Sequence, residues 1–180
     1  KELDLFSPPA DMTVDGLQKT AAPDSLPLDF PSYKVKITGE PSPGDIFLSP
    51  TRFVSNDGYN LRLSWSGELK YYQKINDGIP FDFKVLSNGM LSYGIMYEVN
   101  EGATFGPTDF IMIDSSYQMI GKYQMGNGYV ADYHEFLVLP NGHVFMISYD
   151  IQPVNMNGIV PNGHPGALVA GGIVQELDQN

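Results

Sequence analysis

A pattern of apolar run, Asn-Gly turn and second apolar run occurs twice, and it limits what this chain can fold into. The first copy is Phe81 to Leu86, then Ser87-Asn88-Gly89, then Met90 to Met96. The second is His134 to Leu139, then Pro140-Asn141-Gly142, then His143 to Tyr149. Asn-Gly accepts the positive φ angles that tight hairpins need, so each copy reads as two antiparallel strands. The two turns are 53 residues apart, close to the length of one four-stranded propeller blade. The expected fold is therefore all-β, built of antiparallel β-propeller-like blades that form an incomplete propeller. At the 53-residue offset His134 falls on Phe81, so only one copy carries an imidazole.

Composition agrees with that class. Charged residues make up only 17% of the 180 residues and hydrophobic residues 42%. That balance fits a folded β-rich domain better than a disordered or long helical chain. Five Asn-Gly and three Asp-Gly pairs punctuate it. The net charge of −11 argues against nucleic acid or an anionic membrane as partner. Two arginines, Arg52 and Arg62, are available to hold a small anionic substrate. There is no cysteine, which excludes disulfides and thiolate metal sites. No apolar run is long enough to span a membrane as a helix.

Residues 1–30 read as a Pro-rich lead-in, expected to be disordered at least in part, and residues 31–180 as the N-terminal portion of a β-propeller domain. Further hairpins are expected at Leu61 to Tyr72 and at Asp109 to Tyr123. Phe136 to Leu139 and Val144 to Ile147 are apolar at successive positions, which suggests strands covered on both faces. Ile151 to Ala170 is rich in Pro, Asn and Gly and reads as one long loop over the histidine-bearing hairpin. Ile173 to Leu177 reads as the last strand.

His134 is the leading candidate for chemistry. An imidazole beside a carboxylate can act as base, nucleophile or metal ligand. In an extended segment Asp132 and His134 share a face, so Asp132 is the expected orienting group, with Tyr133 and Glu135 on the other side. The competing reading is a strand-end histidine hydrogen-bonded into the core. His143 follows a turn glycine and reads as a solvated neighbour of the turn. His164 sits in the long loop, either reaching the site or lying on the surface. The three histidines lack metal-site spacing, so no metal is expected. Trp65, Tyr71, Tyr72, Phe81, Phe83 and Tyr93 read as core filling.

The run Asp132-Tyr133-His134-Glu135-Phe136, followed by Leu139-Pro140-Asn141-Gly142 and Tyr149-Asp150, resembles the aryl sulfotransferase family. Pro43 to Phe47, Phe110 to Tyr117 and Gly172 to Asp178 resemble the flanking segments in the same order. The resemblance covers about residues 30–180. It implies a β-propeller that moves a sulfuryl group from an aryl sulfate to a phenolic acceptor through a sulfated histidine, without a nucleotide donor or other cofactor. His134 matches the family's Asp-x-His-Glu motif, as nucleophile or as sulfuryl-binding histidine. On that reading His134 and Asp132 are catalytic, and Glu135 and His164 bind substrate. The resemblance also implies an extracytoplasmic location, periplasmic or secreted. Two or three blades do not close a ring, so the isolated chain is expected to be an inactive fragment that self-associates through open blade faces. The alternative is a non-catalytic propeller that binds a ligand or protein.

Overall fold

The computed structural model describes residues 2–4, 26–52, 54–97 and 108–178. Most of the lead-in expected to be disordered lies outside these residues. The described chain is all-β and antiparallel, with no α-helix. Its strands in order are β1 (Glu2–Asp4), β2 (Lys34–Lys36), β3 (Asp45–Leu48), β4 (Thr51–Arg52), β5 (Asp57–Ser64), β6 (Leu69–Ile75), β7 (Ile79–Val85), β8 (Leu91–Met96), β9 (Thr108–Ile113), β10 (Met119–Tyr123), β11 (Phe136–Val138), β12 (Val144–Val154) and β13 (Ala167–Leu177).

Strands β1 and β2 pair as a short ribbon. Three larger sheets follow. In the first, β5 is central, with β3 and β4 along one edge and β6 along the other. The second is a meander, β7-β8-β9-β10. The third is β11-β12-β13. Among the described residues they form neither a closed barrel nor a ring.

One turn design builds four of these hairpins. Leu86 N–H donates to Met90 O and Gly89 N–H donates back to Leu86 O. The same two bonds recur at Ser64, Gly67 and Glu68, at Asp114, Tyr117 and Gln118, and at Leu139, Gly142 and His143. The third loop residue has positive φ each time: +92° at Gly67, +81° at Gly89, +61° at Tyr117 and +84° at Gly142. This is a three-residue loop closed by a left-handed residue, which matches the right-handed strand twist. Glycine fills it at no steric cost in three cases.

Apolar clusters lie between successive sheets. Ile75, Phe83, Leu91, Tyr93, Ile111 and Ile113 join the first sheet to the second. Phe110, Phe136, Val138, Val144 and Met146 join the second to the third. Strand β9 serves both clusters, with Ile111 and Ile113 on one face and Phe110 on the other. Burial on two faces is thus a property of the second sheet. In the third sheet it is one-sided: Phe136, Val138, Val144 and Met146 are buried, but Leu137 is 49% exposed. The far face of the first sheet is covered by residues 26–33, where Leu26, Phe30 and Tyr33 pack on Tyr59, Leu61 and Leu63.

Two sequence expectations need correction. Ile151 to Ala170 is not one loop: β12 runs to Val154 and β13 begins at Ala167. Pro153 and the Gly171-Gly172 pair hide the alternation. Pro153 is tolerated because β12 has no β11 neighbour beyond Met146, leaving an edge position there. Trp65 is 47% exposed rather than core filling, whereas Phe83 and Tyr93 are buried.

Candidate functional site

The connection from β10 to β11 carries the candidate dyad. Asp132 N–H donates to Ile147 O of β12 at 2.8 Å, which fixes the connection against the third sheet. Ser148 Oγ donates to Val130 O at 2.6 Å beside it. These bonds place the Asp132 carboxylate inside the protein, with its side chain 1% exposed. Its Oδ1 accepts the His134 backbone N–H at 3.0 Å and is also bonded to His134 Nδ1.

The pairing of Asp132 with His134 agrees with expectation, but its cause differs. Residues 133–134 form a turn, and the strand starts only at Phe136. An aspartate whose carboxylate caps the N–H two residues on is an Asx turn. The side chains meet through that turn and not through extended spacing. The imidazole is half exposed and stacks on Tyr133, with centroids 4.2 Å apart. Tyr133 in turn stacks on Phe81 of β7 at 4.6 Å. The position matched to His134 by the repeat thus supports the histidine's neighbour.

An acceptor at Nδ1 assigns the proton to that nitrogen and leaves the lone pair on Nε2. Asp132 Oδ2 is buried and has no hydrogen-bond partner. The arrangement gives an oriented imidazole with one free basic nitrogen, suited to proton transfer or nucleophilic attack.

Glu135 faces the other way. It accepts from Lys84 at 2.8 Å and from Phe136 N–H at 3.0 Å. Burial pulls the Lys84 ammonium down, but Asp82 and Glu135 outweigh it and hold its pKa above the usual value. Glu135 therefore places a cation at this turn. His164 is not brought to the site. It lies in the β12–β13 loop, where its carbonyl accepts from Met156 N–H and its Nδ1 from Gly166 N–H. The seven residue steps from Ile147 to Val154 carry that loop roughly 23 Å along β12 from the dyad. His143 bonds Glu176 across the third sheet at 2.7 Å. Among the described residues no group of three His, Asp or Glu side chains could hold a metal.

Both arginines are engaged elsewhere. Arg52 binds Asp57 at 2.6 Å and Asp29 at 2.8 Å, and Arg62 binds Asp45 at 2.6 Å and the Tyr117 hydroxyl at 2.9 Å.

Two cavities lie away from His134. One, of about 320 Å³, is lined by Tyr97, Asp109, Gln124, Met125 and Tyr129 among others. Burial pushes the Asp109 carboxyl up, but hydrogen bonds from Lys122, Gln124 and Tyr97 hold it below the usual range. The second, of about 340 Å³, lies between the lead-in and the first sheet, against Asp29, Phe30, Arg52 and Tyr59. Sequence reasoning missed both. The signal for the first was a carboxylate inside the apolar strand Thr108–Ile113.

No helix among the described residues is long and apolar enough to cross a membrane. Comparison with known proteins finds no matching family model, no matching curated protein and no matching solved structure.

Proposed function

We propose that this chain is part of an aryl sulfotransferase-like β-propeller, located outside the cytoplasm, in which His134 transfers a sulfuryl group. The observation that carries this reading is the dyad: a buried carboxylate bonded to Nδ1 of a half-exposed imidazole. Serial stacking of three antiparallel sheets supports the propeller component. Nε2 attacks the sulfur of an aryl sulfate, the S–O bond to the ring breaks, and the phenoxide leaves. The oxygen of a second phenol then attacks the same sulfur, the N–S bond breaks, and the acceptor's proton passes to solvent or a base. Asp132 stabilises the cationic imidazole formed on attack. Negative charge on the sulfuryl oxygens calls for cationic donors, and Lys84, the cation beside Glu135, is itself paired with Asp82 and Glu135.

A non-catalytic binding propeller is the second reading. It is favoured by His134 lying outside both cavities and by the engagement of both arginines elsewhere. Release of a chromogenic phenol from an aryl sulfate, with a phenolic acceptor present, separates the two. In the intact protein that carries this chain, His134→Ala should lower turnover at least about a hundredfold, while His143→Ala changes it little. Parental turnover in His134→Ala, at matched folded fraction, sinks the enzyme reading.

A further inference from the structure

The five Asn-Gly pairs do not occupy equivalent places. In four of them the glycine N–H closes a turn. Gly89 donates to Leu86 O at 3.0 Å, Gly142 to Leu139 O at 2.9 Å and Gly163 to Val160 O at 3.0 Å. Gly158 ends the 3₁₀ turn Met156–Gly158 capped by Asn155, so its N–H is taken by the Asn155 carbonyl. Two of the asparagines are tied as well: Asn88 Oδ1 accepts from Met90 N–H at 3.0 Å and Asn141 Oδ1 from His143 N–H at 3.1 Å. Asn127-Gly128 differs. Here Tyr129 N–H donates to Gly126 O at 3.2 Å, so the pair fills the two central positions of its turn. Both residues have positive φ, +60° and +80°, the mark of a type I′ turn. Among the described residues neither the Gly128 N–H nor the Asn127 side chain makes a hydrogen bond. Both residues are exposed, and nothing lies within 4 Å of the place a Cβ on Gly128 would take.

We propose that Asn127 is a site of spontaneous modification, through attack of the Gly128 backbone nitrogen on the Asn127 side-chain amide. The bond from that nitrogen to Cγ forms, the bond from Cγ to Nδ2 breaks, and the backbone amide proton leaves with Nδ2 as ammonia. Water then opens the resulting cyclic imide at either carbonyl, giving aspartate or isoaspartate. Glycine favours closure because it has no Cβ to crowd the ring. An N–H held by a carbonyl is a poorer nucleophile, since it must give up that bond before it loses its proton. At the other four pairs this slows closure about fivefold or more, the worth of one hydrogen bond. Asn127 lies on the segment that leads to Asp132. That segment is pinned on one side by Gln175, whose Oε1 accepts the Gly126 N–H at 2.6 Å, and on the other by Ser148, whose Oγ donates to Val130 O. The reaction puts a negative charge there, and the isoaspartyl product lengthens the backbone between the two pins. The inference does not depend on the catalytic reading.

Incubating the intact protein that carries this chain in mildly alkaline heavy-oxygen water tests it. Digestion at acid pH and peptide mass spectrometry then read which sites have taken up heavy oxygen. The expected result is aspartate and isoaspartate at Asn127, formed about five times faster or more than at Asn88, Asn141, Asn157 or Asn162. In urea, where no turn holds a glycine amide, the five rates should converge. An Asn127 that stays unmodified in the folded protein overturns the proposal, as do equal rates at the five sites or a faster reaction at any of the other four. So does an Asn127 that leads by the same margin in urea, because the fold is then not what selects it.

Discussion

Phe136→Ala should be among the most destabilising single changes in this chain. The side chain is 0% exposed and sits between the second and third sheets. Its ring stacks on Phe110 at 4.8 Å and leans on Tyr123 at 5.2 Å. Val144 and Met146, both 0% exposed, line the same space, so a void there has little room to collapse. Removing a buried phenylalanine from such a site costs about 3–5 kcal/mol. For a chain of this size, a loss of about 4 kcal/mol lowers the Tm by roughly 8–16 °C. Leu137→Ala is the matched control. It lies on the same strand with the opposite face, is 49% exposed, and should cost under about 1 kcal/mol. Urea unfolding followed by circular dichroism measures both. Equal losses, or a larger loss for Leu137→Ala, would mean that the strand faces the other way, since a one-residue slip exchanges the two faces. The packing described between the sheets would then be wrong.

Other perturbations probe separate parts. Hydrogen bonds from Lys74, Tyr59 and Arg52 hold the Asp29 carboxyl well below its usual 3.8. A depressed carboxyl adds stability above its unfolded pKa and loses it as pH falls. Chemical denaturation should therefore show wild-type stability falling below about pH 4, and Asp29→Asn should flatten that fall. Burial, with charges on Tyr93 and Tyr117, pushes the Tyr71 phenol up to about 12. Absorbance titration of wild type against Tyr71→Phe should show one phenol missing only near that pH. Gly67→Ala combines a φ of +92° with a Cβ 2.3 Å from Val35 Cγ2. It should cost about 1–3 kcal/mol and speed proteolysis of the lead-in. Unchanged stability would show that this turn does not clamp β2.

The hairpins were legible because their signals are local. Asn88-Gly89 and Asn141-Gly142 need neighbours only a few residues away, and both close the loops expected of them. Tyr117 takes the same left-handed place without glycine, so composition does not mark that turn. The pairing of Asp132 with His134 was also readable, being two residues apart, although its geometry comes from a turn. Long-range placement was not readable. Nothing in Asn162-Gly163-His164-Pro165 shows that β12 and β13 extend to carry His164 away from the dyad. Which strand face is covered was equally hidden, because Leu137 and Val138 are similar as residues and differ only in what packs on them. Asp109 and Lys122 were overlooked because an ion pair across two strands has no sequence spacing of its own.

The central claim concerns one nitrogen, Nε2 of His134. Peptide mass spectrometry of the intact protein, quenched during reaction with an aryl sulfate and no acceptor, reads it directly. A sulfuryl group on the peptide that carries His134, absent in His134→Ala and discharged when a phenol is added, is the predicted result. Turnover with that peptide unmodified, or a sulfuryl group that settles on another residue and passes from there to the phenol, would contradict the account.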